Sequence, residues 1–361
     1  MMANQSAAAF RALLDVLRDA EQTFAMGPRA VADEVGVTEG YRHLTHLLGY
    51  ALDLYLEADP ERPEFVPLAS PTQKILGDNV DSLYHFAPLR GDRGYRIRGV
   101  RGNGVYLAFC VYGGKPDGEW SERVVANVSQ RELSFAPGGE FELVLSSVSG
   151  GDGDWIRLEP DAVCVIAREY FAERGAAPSR FRIEALDPAP PPAPLDDAAL
   201  ARRLRAVATF VRETIAVVPL PALPPNVIGP PMPWSPYAPG WGTPDNIYAL
   251  GAFQLAPDEA LVIEGRSPRC TYWGVQLWNR YMQSLEYRHR RVSINGAQAV
   301  LEPGGSFRSV VAHRDPGVPN RLDPAGHAEG LVFCRWLQAE EMPEQPTSRV
   351  VPVDSLRRQP T

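Results

Sequence analysis

An internal repeat constrains the fold of this chain more than any other feature of its sequence. Seven residues of the first half recur 166 positions later: Ile97 as Ile263, Gly99 as Gly265, Tyr106 as Tyr272, Pro137 as Pro303, Gly138 as Gly304, Gly139 as Gly305 and Phe141 as Phe307. Four more recur at an offset of 167: Asp78 as Asp245, Asn79 as Asn246, Phe86 as Phe253 and Arg168 as Arg335. A nearly constant offset over about ninety residues predicts two copies of one structural module.

The residue pattern within each copy is typical of antiparallel β structure. From Tyr95 onward, short runs rich in β-branched and aromatic residues, such as YRIRGV and VYLAFCVYG, alternate with Gly, Pro and Asp. The ProGlyGly before Phe141 and before Phe307 predicts a tight turn in which glycine supplies a positive φ. We therefore expect a mainly β fold made of two jelly-roll or sandwich-like antiparallel modules related by internal duplication.

Helical patterns precede the first module and separate the two modules. A helix is expected from Asp196 to about Val217, with Asp196 or Asp197 as its N-cap. The proline-dense run 219–244 can form neither a helix nor a ladder, so it is expected to be an ordered or wrapping connection. The predicted division is a helical lead-in (1–60), a first β module (61–186), a Pro-rich linker with one helix (187–244) and a second β module (245–361).

Composition and charge narrow the class of partner. The net charge of −8 argues against binding to a phosphate backbone, and no run is long and apolar enough to suggest a membrane span. The four cysteines are isolated, without CxxC spacing, which favours a reducing, cytoplasmic location. No GxGxxG, P-loop, GxSxG or HExxH motif occurs, and no cofactor is expected.

The candidate functional residues concentrate in the second copy, between His313 and Trp336. This stretch carries His313, Asp315, Asp323 and His327 among prolines and glycines that fix a rigid loop. Histidine with a carboxylate partner is the usual equipment for moving protons near neutral pH. The leading hypothesis is a cytoplasmic enzyme of hydrolase or lyase type that acts on a small anionic or hydroxylated molecule. His313 would be the base, Asp315 or Asp323 its orienting carboxylate, and His327 the acid.

The substrate-binding residues are expected on both copies. Arg168 and Arg335 lie inside apolar strands, where an arginine must be paired or lie at a cavity, so a structural salt bridge and an anion-binding role are both open for them. The first copy carries Asp78, Asp81, Tyr84 and His85 in the run GDNVDSLYH, where the second copy reads PDNIYALG. These segments would meet at one site if the modules pack face to face. The predicted substrate-binding set is Arg335, Arg321, Asn320, Tyr272, Trp278, Asp81 and His85, with Arg335 and Arg321 as an anion clamp.

The sequence also allows two other classes of function and a homodimer. His313, Asp315 and His327 also match the His-x-Asp…His ligand set of a jelly-roll metal enzyme, although the closing histidine follows the Asp by only twelve residues. A non-catalytic β-sandwich that binds a sugar or a lipid-like small ligand is the other alternative. The aromatic stretch 271–281 could line a pocket or form an apolar patch that seals a homodimer.

The second half of the chain also resembles a known family. The segments YWGVQLWNRYMQSLEYRHRRVSINGAQ and DPGVPNRLDPAGHAEGLVFCRW, within about residues 240–340, are similar to the bacterial domain-of-unknown-function family 1214, which is often found with companion family 1254. The resemblance implies a β-sandwich or jelly-roll domain and carries over no catalytic residue. Relatives tend to have Trp where this chain has Arg321, which implies a more cationic pocket if that position lines one.

Overall fold

A computed structural model describes residues 4–27, 29–149, 151–173, 175–187 and 189–356. Its helices are α1 (Gln5–Glu21), α2 (Glu34–Ala51) and α3 (Asp197–Val217), and short π-helical segments, Gln22–Met26 and Leu52–Leu56, follow α1 and α2. Within these ranges, none of the helices combines the length and the apolar character needed to span a membrane.

Two neighbouring aspartates cap two different helices. The carboxylate of Asp196 accepts a hydrogen bond from the Ala199 backbone N–H at 2.7 Å, which confirms the predicted N-cap of α3. The carboxylate of Asp197 instead accepts from the backbone N–H groups of Gln5 and Ser6, at 2.8 and 3.0 Å. The start of α3 therefore also satisfies the free N–H groups at the start of α1, which ties the two helices together.

The first β module is a sandwich of two sheets. Its strands are β1 (Val66–Pro67), β2 (Ser82–Pro88), β3 (Tyr95–Val100), β4 (Tyr106–Gly113), β5 (Arg123–Ser129), β6 (Glu140–Ser146), β7 (Asp154–Arg157), β8 (Ala162–Tyr170) and β9 (Arg180–Ala185). The five-stranded sheet has the order β1-β2-β8-β4-β5, and the four-stranded sheet has the order β7-β6-β3-β9. The core between the sheets includes Ile97, Phe109 and Leu143.

The second β module repeats this arrangement. Its strands are β10 (Met232–Pro233), β11 (Asn246–Gln254), β12 (Glu259–Arg266), β13 (Tyr272–Trp278), β14 (Ser293–Asn295), β15 (Ser306–Ala312), β16 (Arg321–Leu322), β17 (Glu329–Leu337) and β18 (Thr347–Pro352), followed by a 3-10 turn, Val353–Leu356. The sheet orders are β10-β11-β17-β13-β14 and β16-β15-β12-β18. Each strand of the second sandwich thus has a counterpart at the same place in the first, and the fold is mainly β with two antiparallel sandwich modules.

The duplication extends to irregular details. In each module a short strand, β7 or β16, pairs in parallel with β6 or β15. The register places Trp155 and Arg321 at equivalent positions, opposite Val144 and Val310. Trp155 Nε1 donates to the Ser146 carbonyl at 3.1 Å, and the Arg321 guanidinium donates to the equivalent carbonyl, that of Ala312, at 2.9 Å. The glycines of the predicted turns, Gly139 and Gly304 with Gly305, have positive φ as expected.

One part of the predicted repeat alignment is wrong. The ladders pair Tyr84 with Arg168 and Tyr248 with Arg335, so Tyr84 and Tyr248 are the equivalent residues, 164 positions apart. The expected equivalence of Phe86 with Phe253 fails, because Phe86 pairs with Ile166 whereas Phe253 pairs with Gly330. From Tyr248 to Ile263 the second copy has two more residues than the first copy has from Tyr84 to Ile97, which changes the offset from 164 to 166. The identities at an offset of 167 around Asn79 are therefore coincidental.

The two five-stranded sheets meet at an interface with approximate twofold symmetry. The Tyr106 hydroxyl donates to the Asp245 carboxylate at 2.6 Å, and the Tyr272 hydroxyl donates to the Asp81 carboxylate at 2.8 Å. These are one contact made twice, once in each direction. The Tyr170 ring lies edge-on to both tyrosines, with centroid distances of 5.5 and 5.3 Å.

The helices cover the rest of the outer face of the first five-stranded sheet. Leu13 of α1, Leu47 of α2 and Phe210 of α3 belong to one buried cluster with Tyr112 and Ile166 of the sheet. This face of the sheet therefore has two neighbours, the helices and the second sandwich, and the space between them is where the candidate site lies.

Candidate functional site

A cavity of about 670 Å³ lies where the outer faces of the two five-stranded sheets come together. Side chains alternate along a strand, so the central strands β8 and β17 send Val165 and Val332 into the sandwich cores and Arg168 and Arg335 to the opposite face. Both arginines line the cavity, one from each repeat. Residues of the 68–78 loop and of the 229–242 segment complete the wall.

Arg335 is 4% exposed and surrounded by aromatic rings. Its guanidinium donates to the hydroxyls of Tyr84 and Tyr170, both at 3.2 Å, and to the Gly77 carbonyl at 3.0 Å. It also lies 5.4 Å from the Tyr248 ring centroid. Its Nε has no hydrogen-bond partner among the described residues. All three of these partners come from the first module, so the arginine joins the two sandwiches at the cavity.

Arg168 has fewer partners still. It is also 4% exposed, and its guanidinium donates to the Trp241 carbonyl and lies over the rings of Tyr84 and Tyr112, at 5.9 and 5.6 Å. Its second terminal nitrogen, Nη1, is buried without a hydrogen-bond partner in the described part of the chain.

Neither guanidinium forms an ion pair with a carboxylate of the described residues. A guanidinium stays protonated in proteins, and a buried charge without a counter-ion costs several kcal/mol. Because Arg168 and Arg335 line the same cavity and have no carboxylate partner among the described residues, the arrangement can receive an anion. A guanidinium fork fits a carboxylate, sulfonate or phosphate through paired hydrogen bonds.

Asp78 contributes a carboxyl group to the same cavity. It is 5% exposed, and its carboxylate accepts from the Ser284 backbone N–H at 2.9 Å and from the Ser284 hydroxyl at 2.5 Å. Its carbonyl accepts from Gln276 Nε2 and Trp278 Nε1, both at 3.1 Å. Burial raises the pKa of the Asp78 carboxyl, and Lys74, the bonds from Ser284 and the charge of Arg335 offset that rise only in part.

The backbone around Asp78 holds unusual conformations. Leu76 has φ +38° and Met282 has φ +55°, in a region that bulky residues rarely occupy, and both line the cavity. The Gly77 N–H donates to the Met282 carbonyl at 2.7 Å, which joins the two segments. The chain therefore holds this part of the wall in place by tertiary contacts rather than by local preference.

Aromatic side chains supply most of the remaining wall. Trp278 is fully buried and stacks on Phe333, with ring centroids 3.9 Å apart. Trp120, Trp234 and Trp241 close the side formed by the first sandwich and the 229–242 segment. Such rings bury a large apolar surface. The cavity thus combines an apolar aromatic body with two cations and one carboxyl group.

The predicted acid–base residues lie outside this cavity. His313 Nε2 is 3.4 Å from the Leu255 carbonyl. Asp315 is exposed, and its carboxylate accepts from the Gly317 N–H at 2.8 Å. The Asp323 carboxylate accepts from the Ala325 N–H at 2.8 Å and from Arg290 at 3.1 Å. These side chains satisfy turns of the second sandwich, and none of the three lines the cavity.

His327 links the same loop to α2 and also lies away from the cavity. It is buried, with Nδ1 2.9 Å from the Pro324 carbonyl and Nε2 3.0 Å from the Glu39 carboxylate. Burial alone lowers the pKa of His327, but the hydrogen bond and the charge of Glu39 together with the Pro324 carbonyl raise it above its usual value. In the described residues no group of three or more His, Cys, Asp or Glu is arranged to hold a metal ion. The geometry therefore gives no support to the metal set of His313, Asp315 and His327.

The anion clamp of Arg335 with Arg321 is not formed. The Arg321 guanidinium donates to the Ala312 and His313 carbonyls, each at 2.9 Å, so its donors are used within its own loop. Asn320 is buried with φ +57°, and its amide donates to the Val300 carbonyl at 2.7 Å. Both residues stabilise the second sandwich, and the arginine that lines the cavity together with Arg335 is Arg168.

The remaining predicted binding residues divide between the cavity and its surroundings. Trp278 and Arg335 line the cavity, whereas Tyr272 and Asp81 form the interface between the sandwiches. His85 faces the first sandwich core, edge-on to Phe181 at 5.3 Å, where burial lowers its pKa. Tyr272, Trp278 and Tyr281 are at most 6% exposed, so the 271–281 stretch is not the exposed patch expected for a homodimer.

Sequence reasoning missed several residues of the cavity. Tyr84 and Tyr248 are equivalent residues beside the two arginines, but the incorrect offset concealed their relation. Trp234 and Trp241 lie in a proline-rich segment that predicted only a wrapping connection. Two tryptophans in a segment without regular structure were the available signal, because such rings need an apolar partner.

Solved structures that match this chain include a relative of the whole chain and a more distant fold neighbour. The crystal structure of an uncharacterised protein from Burkholderia cenocepacia shares 33% identity and a TM-score of 0.89 with this chain, and the match covers 98% of this chain and 99% of that one. The structure of a Vibrio parahaemolyticus protein matches 94% of this chain and 100% of its own, with 11% identity and a TM-score of 0.50, which is a likeness of fold alone.

No protein-family model and no curated protein matches the chain. The resemblance to family 1214 therefore stays a prediction. The identity of 33% over nearly the full length of both chains is enough to establish common membership. This chain belongs to the same protein family as the Burkholderia cenocepacia protein.

Proposed function

We propose that this protein binds a small organic anion with an apolar body in the cavity between its two sandwiches. The observation that carries the proposal is the pair of buried guanidinium groups, Arg168 and Arg335, which face an apolar cavity without a carboxylate partner among the described residues. The anionic group of the ligand would supply the missing counter-charge. The aromatic rings would pack on its apolar part.

The size and lining of the cavity support this class of ligand. A volume of about 670 Å³ lies within the range of small-molecule sites, roughly 300–1,000 Å³. Such sites are mostly apolar, with a few polar groups that fix the ligand's orientation. The proposal keeps the small anionic ligand expected from the sequence and moves it from the loop around His313 to Arg168 and Arg335.

The test is a charge-selective binding measurement. We expect decanoate or phenylacetate to bind more tightly than decanamide or phenylacetamide, which have the same apolar part without the charge. Arg335→Met should weaken binding of the carboxylates by about 1.5–3 kcal/mol, roughly tenfold to a hundredfold in Kd, and leave binding of the amides nearly unchanged. Isothermal titration calorimetry measures both.

Two comparisons make the result decisive. Arg349→Met is the matched control, because Arg349 lies on β18, an edge strand of the second sandwich, and forms an ion pair with Glu264. It should leave both affinities unchanged. Equal affinity for carboxylates and amides in the wild-type protein would contradict the proposal, and so would an Arg335→Met protein that binds the carboxylates as tightly as the wild-type protein does.

A further inference from the structure

The cavity holds an acidic group beside its cations. Among the cavity-lining residues, Asp78 is the one with a carboxyl group, and it is 5% exposed. It follows Gly77, whose carbonyl accepts from the Arg335 guanidinium at 3.0 Å. An anion that binds to Arg335 therefore brings a second negative charge close to a carboxylate that is already buried.

The charged and titratable groups that face Asp78 determine how readily its carboxyl group ionises. Lys74, on the same loop, is buried with Nζ 2.5 Å from the Ser284 carbonyl, and Arg335 faces it from β17. The phenols of Tyr50 on α2 and Tyr287 in the loop before β14 also face it and stay neutral, since burial and the Asp78 charge raise the pKa of both. The ionised form of Asp78 thus depends on Lys74, on Arg335 and on the two bonds from Ser284.

Anion binding weakens the stabilisation of the ionised Asp78 carboxylate. A ligand anion bound to Arg335 neutralises the positive charge that stabilises the Asp78 carboxylate, and its own negative charge repels that carboxylate. Both effects are large in a low-dielectric cavity. We propose that binding of the anion is coupled to uptake of a proton by Asp78, so that the cavity takes up its ligand together with one proton. This inference rests on the proposed function of the cavity.

The proton comes from solvent and no covalent bond changes. Bound anion and bound proton together leave the charge of the cavity as it was before binding. The expected consequence is an affinity that falls as pH rises, by up to about tenfold per pH unit over the range in which free Asp78 is ionised and ligand-bound Asp78 is protonated.

Calorimetry with phenylmethanesulfonate as the probe measures this coupling directly. A sulfonate stays ionised throughout the working pH range, so a change of affinity with pH reports the protein alone. Titrations in two buffers with different ionisation enthalpies give the number of protons taken up per ligand. We expect a positive proton number for the wild-type protein. The Asp78→Asn protein, which lacks the titrating group, should bind the probe with no proton uptake and no pH dependence.

Asp315→Asn is the matched control, because it makes the same chemical change at an exposed turn outside the cavity and keeps the acceptor for the Gly317 N–H. It should take up protons as the wild-type protein does. Binding of the probe to the wild-type protein without proton uptake would overturn this inference while leaving the proposed function intact. Proton uptake by a folded Asp78→Asn protein equal to that of the wild-type protein would also overturn this inference and leave the proposed function intact.

Failure of phenylmethanesulfonate, decanoate and phenylacetate to bind the wild-type protein would overturn both proposals. The proton number of the wild-type protein needs no variant, so the test stands even where Asp78→Asn does not fold.

Discussion

The contact between His327 and Glu39 is best understood from the two nitrogens of one ring. His327 Nδ1 lies 2.9 Å from the Pro324 carbonyl and Nε2 lies 3.0 Å from the Glu39 carboxylate. Neither oxygen can donate a hydrogen bond, whereas a neutral imidazole has only one N–H. Both contacts are therefore hydrogen bonds only when the ring is protonated. This agrees with the raised pKa of His327, which burial opposes and Glu39 brings about.

The first prediction is a dependence of stability on pH through His327. A histidine with a raised folded-state pKa contributes its full stabilisation below the unfolded-state value, about 6.5, and loses it as pH rises through the folded-state value. His327→Gln should lower the free energy of unfolding on the order of 1 kcal/mol near pH 6 and by less above the raised pKa. Urea unfolding of both proteins across this window measures the difference.

His313→Gln serves as the control, because His313 lies 3.4 Å from a carbonyl and contacts no carboxylate in the described structure. It should unfold with the pH dependence of the wild-type protein. An His327→Gln protein whose unfolding free energy differs from that of the wild-type by the same amount at every pH would show that the ring is not protonated in the fold.

Single residues show where sequence reasoning at this scale succeeds. An arginine inside an apolar strand was enough to predict a paired or cavity-lining role for Arg168 and Arg335, and both line the cavity. His313 and His327 have the chemistry that the prediction required, but they lie outside this cavity. Sequence reveals which groups can titrate, but burial and neighbours decide what they do.

At the scale of elements, the 229–242 segment forms part of the cavity wall as well as connecting the two modules. It contributes Trp234 and Trp241 to the cavity, and the Trp241 carbonyl accepts from both Arg168 and the Tyr112 hydroxyl. Its N–H groups reach both sandwiches, since Trp234 donates to the Asn246 carbonyl and Gly240 to the Ser121 carbonyl. The segment is therefore ordered by contacts to both repeats.

Gly242 is the position in this segment where a side chain would do most damage. A Cβ there would lie 2.1 Å from a ring carbon of Trp234, and a tryptophan held in a wall cannot yield that far. Gly242→Ala should destabilise the protein by about 1–3 kcal/mol and weaken binding of decanoate, because Trp234 must leave its place. Thermal unfolding and calorimetry test the two effects.

Gly153→Ala is the corresponding control, since a Cβ at Gly153 meets nothing within 4 Å. Its melting temperature and affinity should match those of the wild-type protein. Wild-type stability together with wild-type affinity in Gly242→Ala would contradict the packing role assigned to Trp234.

The elements themselves could be predicted because their signals are local. Alternating apolar runs placed strands in both halves, and Asp196 marked the start of α3. The cavity could not be predicted in the same way. It needs the 68–78 loop, β8, the 229–242 segment and β17 to meet, and their meeting depends on how two sheets pack. The failed equivalence of Phe86 with Phe253 shows the same limit, because the register is set by strand pairing rather than by residue identity.

At the scale of the whole molecule, the duplicated sandwiches behave as one unit because they share their interface. The Tyr106 bond to Asp245 and the Tyr272 bond to Asp81 cross between the repeats in opposite directions. Each carboxylate also accepts from an asparagine at 3.0 Å, Asn127 for Asp245 and Asn295 for Asp81. The cavity lies beside this interface, so its two arginines keep their relative positions only while the sandwiches stay together.

The last prediction concerns this coupling. Tyr106→Phe and Tyr272→Phe each remove one hydrogen bond to a carboxylate, and each should lower the free energy of unfolding by about 1.5–3 kcal/mol. Because the two bonds are made at separate places, the double variant should lose about the sum. All three proteins should still unfold in one transition, with circular dichroism and tryptophan fluorescence giving coincident curves in urea.

Tyr237→Phe removes a hydroxyl from a side chain that is 80% exposed and should leave stability unchanged. Two separate unfolding transitions in the wild-type protein would mean that each sandwich folds without the other. The interface would then join two independently folded domains. A single transition with additive losses in the two variants means instead that neither copy completes its fold alone. In that case the duplicated chain forms its binding cavity in the same cooperative step in which its halves join.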